Sequence, residues 1–237
     1  MALIVALDTN VLLARCLDPA MDAKGQLADQ VFHVLREAGI EPHVTQSVRR
    51  EFEERLHARI GQIADAVRKL SRQQAPIPSA PGTTVLGLME EVFSRLRAAA
   101  PDASGALQLL EARLSRAVAN RTLTTDDQWH EILSMIVLET TVLMSEVQRR
   151  YDVAGIRVIP RVGRLSVEKY VGIVQGRDQE HIASIDALSE TRASPVIFVT
   201  LESKLHAIRD QIAKLAPGCV VTTPTYLGEQ IRRLAED

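Results

Sequence analysis

Two short stretches of the chain are apolar at every position rather than at alternate ones. Leu3-Ile4-Val5-Ala6-Leu7 lies almost at the N-terminus, and Val196-Ile197-Phe198-Val199 lies far downstream, followed by Thr200. Both are too short to span a membrane. Their β-branched content predicts strands buried on both faces, as in a parallel sheet. Cys219 to Val221 reads as a third strand, and Glu41 to Thr45 as a shorter one centred on His43 and Val44. Ile156 to Ile159 fits either a strand or the irregular approach to the next helix.

Between these runs the apolar positions recur at helical spacing. Val11 to Leu17 is helix-compatible, and Lys24 to Ala38 places Leu27, Val31, Val34 and Leu35 on one face, with Gly39 as its stop. Ser47 is expected to cap a helix from Val48 to about Leu70. Ser71 to Gly82, rich in Pro and Gln, breaks the pattern. Three helical stretches follow without a convincing strand: Val85 to Ala100, Gly105 to Ala119, and Asp126 to about Asp152. The third carries Trp129, Ile132, Ile136, Leu143, Val147 and Tyr151 in one stripe, suited to core or to a partner-facing surface. Thr124 and Asp127 mark its start with capping-box-like spacing. After Gly155 come a helix over Asp178 to Ser189, the Val196 strand, a helix over 202–215, the Cys219 strand and a closing helix over 224–234. The order predicts one α/β domain over 1–237, with an all-helical insertion at about 71–152 that forms a lobe on it.

Composition narrows the function. An apolar fraction of 46% with 24% charged residues is globular, and 237 residues suffice for a full core. With three Tyr, four Phe and one Trp, aromatic stacking is not the expected main mode of binding nucleic acid. The net charge of −2 excludes a uniformly basic surface but leaves room for local basic stripes. Cys16 and Cys219 have neither zinc-site nor disulfide-framework spacing. No basic-then-apolar leader and no 18-residue apolar run occurs, so the expectation is a cytoplasmic protein without a membrane partner.

Acids recur in equivalent places. Asp8 and Glu202 follow strands, while Glu51 and Asp178 fall in the first turns of helices. Asp8 alone could be a turn residue capping the next helix. Most charges around Glu51, from Arg49 to Arg59, suit a solvated face with i,i+4 pairs. Together, four acids at one edge of a parallel sheet would repel and shift one another's pKa values unless a cation neutralised them. Hard oxygen donors suit Mg2+ or Mn2+, which bind phosphate oxygens, so the pattern points to metal-dependent phosphodiester hydrolysis. Arg161, Arg164, Lys169 and Arg177 run into Asp178 with only Glu168 against them, and fit either a solvated face or RNA phosphate contacts.

The motifs resemble those of the PIN-domain nucleases. Leu7-Asp8-Thr9-Asn10-Val11-Leu12-Leu13 looks like that family's opening motif, and Thr45-Gln46-Ser47-Val48-Arg49-Arg50-Glu51-Phe52 is similar to its strand-turn-helix with an acid at Glu51. Asp178-Gln179-Glu180-His181-Ile182-Ala183-Ser184 resembles the third motif. Val199-Thr200-Leu201-Glu202-Ser203-Lys204-Leu205 resembles the fourth, with Glu202 where an Asp is usual. The resemblance covers roughly 1–70 and 155–237. It implies a three-layer α/β/α sandwich with a central parallel sheet and a divalent-metal endoribonuclease site made by Asp8, Glu51, Asp178 and Glu202. Asn10 and Thr200 would orient carboxylates or hold a water. It further implies RNA as substrate, with a homodimer partner or an antitoxin-like inhibitor protein as candidate partners.

The chain departs from the family in three places. The helical segment has no counterpart in the smallest members, the longer Glu202 arm can reach a metal through water, and Asp186 fits an outer-shell acid or a surface charge. Two other functions stay open. One is a catalytically weak PIN-like module binding RNA or protein. The other is a phosphatase using Asp8 as nucleophile, which would usually need an acid where Asn10 stands.

Overall fold

The structure, a computed structural model, describes residues 3–17, 23–72, 85–118, 128–159 and 166–236. Among them five strands form one all-parallel sheet: β1 (Ile4–Leu7), β2 (Pro42–Thr45), β3 (Arg157–Ile159), β4 (Val196–Val199) and β5 (Cys219–Thr222). Their order across the sheet is β3-β2-β1-β4-β5. The chain therefore builds outward from β1 on one side, then returns to place β4 on the other. In open parallel sheets such a reversal leaves a crevice beyond the carboxyl ends of the two central strands. Pairing runs without slip from Ile4↔Val196 to Leu7↔Val199, so Asp8 and Thr200 emerge side by side.

The continuous apolar runs have a simple cause. Ala6, Val196, Phe198 and Val221 point into a core shared with Ile182 and Ile185. Their strand neighbours Val5, Leu7, Ile197 and Val199 point the opposite way and are also fully buried. A sheet covered on both faces has no use for alternation. Ile156–Ile159 resolves as strand, because its residues Arg157, Val158 and Ile159 pair with β2.

Ten helices connect these strands within the described residues: α1 (Thr9–Leu17), α2 (Ala23–Glu37), α3 (Gln46–Arg72), α4 (Val85–Ala99), α5 (Ser104–Val118), α6 (Gln128–Val153), α7 (Asp178–Arg192), α8 (Ser203–Ala207), α9 (Arg209–Leu215) and α10 (Leu227–Glu236). Gly39 closes α2 in the left-handed region, φ 64°, which suits glycine. Two boundaries differ from expectation. α3 starts at Gln46, because Thr45 rather than Ser47 caps it: the Thr45 hydroxyl accepts the Val48 amide at 3.2 Å. Glu51 consequently stands in the second turn. The stretch 202–215 is two helices with a break at Ile208 (φ −103°, ψ 12°), and the spacing of Leu205, Ile208 and Ile212 carries across it. That continuity is why the pattern reads as one helix.

The chain divides into two compact units, one holding the sheet (1–16, 20–53 and 151–237) and one holding 54–150 with 17–19. The divisions fall inside α3 and α6. In the helical unit, Ile132, Ile136, Leu143 and Val147 of α6 are fully buried, so this part of the predicted stripe is core. Arg97 of α4 pairs with Glu111 of α5, and Arg113 of α5 with Glu146 of α6. The Trp129 side chain, the 73–82 stretch and the Thr124–Asp127 start lie outside the described residues. No described helix is long and apolar enough to cross a membrane.

In the sheet unit a short 3-10 turn, Val167–Tyr170, is pinned to α7. The fully buried Tyr170 hydroxyl donates to Asp186 Oδ2 at 2.6 Å, and Lys169 Nζ donates to the same oxygen at 2.8 Å. Burial and the adjoining carboxylate raise the Tyr170 pKa, so the hydroxyl stays protonated. Asp186 is thus a buried anchor, neither an outer-shell acid nor a surface charge. Asp186→Ala would strand the Tyr170 hydroxyl and is expected to cost roughly 2–3 kcal/mol by urea unfolding. Adding Tyr170→Phe should recover part of that loss. Strictly additive effects would count against the anchor.

Candidate metal centre at the carboxyl edge of the sheet

The crevice residues follow directly from where the strands stop. Asp8 is the first residue beyond β1, and its amide donates to Val199 O at 3.0 Å, a last rung of the β1–β4 ladder. Its carbonyl accepts the Val11 and Leu12 amides, which starts α1. The side chain does more than cap. Oδ1 accepts the adjacent Thr9 amide at 2.7 Å, while Oδ2 accepts Asn10 Nδ2 at 2.6 Å and the Thr200 hydroxyl at 2.7 Å.

Asn10 and Thr200 close this into a latch between strand ends. Asn10 Oδ1 accepts the Leu201 amide at 2.9 Å, and its amide group also reaches Thr200 Oγ1 at 3.2 Å. Thr200 Oγ1 in turn accepts the Glu202 amide at 3.0 Å. One carboxylate, one carboxamide and one hydroxyl thereby fix how β1 and β4 end. Both side chains thus hydrogen-bond the Asp8 carboxylate.

Glu51 and Asp178 approach from two helices, and what lies between them is an imidazole. Glu51, 3% exposed on α3, accepts the Thr9 hydroxyl on Oε2 at 2.7 Å. His181 of α7 is 1% exposed, with Nε2 3.3 Å from that same Glu51 oxygen. Its Nδ1 lies 3.9 Å from Asp8 Oδ1 and 3.8 Å from Asp178 Oδ1. Three acids from three different elements therefore surround one ring. Glu202, half-buried between β4 and α8, joins through charge: it and Asp178 both act on Asp8.

The sequence reading assigns no role to His181 or to Thr9. A signal for His181 existed: it lies three residues after Asp178, on the same side of a helix. Nothing local marks Thr9, whose partner Glu51 is far away in sequence.

The four basic candidates fare differently. Arg177 is exposed and immediately precedes Asp178. Lys169 directs its ammonium at Asp186. Arg161 and Arg164 lie outside the described residues.

Electrostatics single out Asp8. Burial first, then the Asp178 and Glu202 charges, push its pKa up to about 7, against the lowering effect of its Thr200 and Thr9 hydrogen bonds. The donor set, carboxylate oxygens with one imidazole, suits Mg2+ or Mn2+. Among the described residues no three such side chains are already gathered around one point. The fit is one of donor chemistry and charge, not of a finished cage. Comparison with protein-family models, with curated proteins and with solved structures found no match.

Asp8 fixes a pH dependence whose sign is set by the direction of its shift. Between the unfolded value of 3.8 and about 7 the folded chain holds a proton that the unfolded chain has lost. Stability in chelator must then fall as pH rises through that window. Wild type should lose up to roughly 3 kcal/mol between pH 5 and 8, and Asp8→Asn should flatten the curve. Equal slopes in urea melts of the two proteins would remove Asp8 as the cause.

Proposed function

We propose that the protein is a PIN-like endoribonuclease that hydrolyses RNA phosphodiesters with Mg2+ or Mn2+ at the Asp8 edge. The observation that supports this reading is the Asp8 carboxyl itself, buried at the reversal point of a parallel sheet, its pKa lifted toward neutrality by that burial first and by the Asp178 and Glu202 charges in addition. The five-stranded parallel sheet with both faces of its central strands buried is compatible with the three-layer α/β/α sandwich that the motifs imply.

Asp8, Asp178 and Glu202 would hold the cation, with Glu51 behind them. When bound, the metal would supply Lewis-acid stabilisation of phosphate oxygens and make hydroxide available near neutral pH for in-line attack. The chain's own residues do the positioning. Thr200 and Asn10 would hold the Asp8 carboxylate in one orientation through their hydrogen bonds to Oδ2. Thr9 and His181 hold Glu51, and His181 spaces Asp178 from it. Arg177, exposed beside Asp178, would meet a phosphate of the RNA backbone.

A second reading has its own support. His181 stands where the acids converge, and no three donors are preassembled among the described residues. A catalytically weak PIN-like module binding RNA or protein would tolerate both facts. Incubation of end-labelled single-stranded RNA with the full chain separates the two. The nuclease predicts fragments in Mn2+ or Mg2+, none in EDTA, and a loss of roughly 100-fold or more in Asp8→Asn. It also predicts that Mn2+ raises the melting temperature of wild type more than that of Asp8→Asn. RNA retained whole by wild type in metal would favour the binding module.

A further inference from the structure

A pocket of about 310 Å3 opens at the carboxyl ends of β4 and β5, beside the acidic edge and separate from its carboxylate cluster. Leu201 and Ser203, the two neighbours of Glu202, line one side of it. His206 and Ala207 of α8 line another, and Thr223 and Pro224, just beyond β5, face them. Its volume is at the small end for ligand pockets, room for one flat ring system rather than an extended ligand. The lining suits such a ring: apolar side chains for its faces, with threonine and serine hydroxyls for the polar atoms on its edge.

His206 gives this pocket a rigid aromatic wall. Its ring is nearly parallel to Tyr226, with centroids 6.3 Å apart and planes at 6°. An Arg209 guanidinium nitrogen lies 2.9 Å from Nε2 and 3.3 Å from Nδ1. Tyr226 itself is 51% exposed, although large apolar surfaces are usually covered. In a chain with eight Phe, Tyr and Trp in all, an exposed stack beside a pocket points outward to a ligand. Lys204 and Arg209, both exposed on the same two short helices, add positive charge around it.

The geometry points to a nucleobase subsite: the pocket takes one base of single-stranded RNA, the nucleotide next to the phosphate held at the acidic edge. Glu202 lies between Leu201 and Ser203, so a base seated here would carry its sugar-phosphate toward that carboxylate. This rests on the reading of the acidic edge as an RNA-cleaving site and adds to it how the strand is placed. One base is stacked, and the rest of the strand is held by charge, which keeps aromatic stacking a local rather than a general mode.

The test uses the full chain in an Asp8→Asn background with Mg2+, so that a labelled RNA hexamer stays whole, and reads equilibrium binding. His206→Ala should weaken binding about tenfold, and His206→Phe, which keeps a ring, should hold it within about twofold. Ala207→Leu, which fills the pocket without touching the stack, should weaken binding to the same degree, and thermal melts confirm that each variant folds. In a scan of single abasic positions, one position should cost the parent about tenfold and cost His206→Ala nothing further. Unchanged affinity in both His206→Ala and Ala207→Leu, or no such position, overturns the subsite. If wild type still cleaves RNA in that case, the nuclease reading survives and only the subsite falls. If the hexamer does not bind at all, both fall. Saturable binding of free nucleoside monophosphates, with hexamer affinity indifferent to His206, would assign the pocket to a free nucleotide and overturn the proposal as well.

Discussion

The burial of one carboxyl group at the end of β1 is the constraint on which the rest of the site depends. Asp8 cannot be dry and charged without compensation, and the sheet supplies it locally through the Thr9 amide, Asn10 and Thr200. Thr9 and Asn10 follow Asp8 directly in the chain, while Thr200 reaches it because β1 and β4 are adjacent and in register. The latch therefore does two things at once. It finishes the ladder between the central strands, and it fixes the direction in which a carboxylate faces the crevice.

From that point the charge balance organises the surrounding helices. α3 and α7 each bring an acid toward Asp8, and such convergence would be repulsive if nothing stood between them. His181 stands between these acids, with Nε2 3.3 Å from Glu51 and Nδ1 3.9 Å from Asp8 and 3.8 Å from Asp178. α7 is held in turn near its middle by Asp186, to which Tyr170 and Lys169 are bound. That anchor steadies the helix that carries Asp178 as its first residue. Burial, with the Asp178 and Glu202 charges added to it, raises the Asp8 pKa above the ordinary carboxylate value.

The helical unit obeys ordinary amphipathic packing. Its long helix buries Ile132, Ile136, Leu143 and Val147, while Val137 and Leu138 stay exposed. Cross-helix pairs such as Arg113 with Glu146 sit at the rim of that packing. Among its described residues nothing resembles the acidic edge. Pocket, latch and acids all belong to the sheet unit.

Much of the fold was legible because it depends on local pattern. Continuous apolar runs such as Val196–Val199 can be buried on both faces only in a covered sheet, and helical spacing marked α2, α4 and α7 without reference to anything distant. Acids at strand ends and helix starts were likewise visible one by one, as were Asn10 and Thr200 near them. Local pattern failed where a neighbour in space decided the outcome. Thr45 displaced Ser47 as the cap, and Asp186 became a buried anchor because Tyr170 and Lys169 reach it. Strand order, the side-by-side ends of β1 and β4, and the convergence of Glu51 and Asp178 on His181 came only with tertiary structure. Periodicity states which face of an element is buried. What that face meets is set by packing between residues far apart in the chain, and the chemistry of this site is made entirely of such meetings.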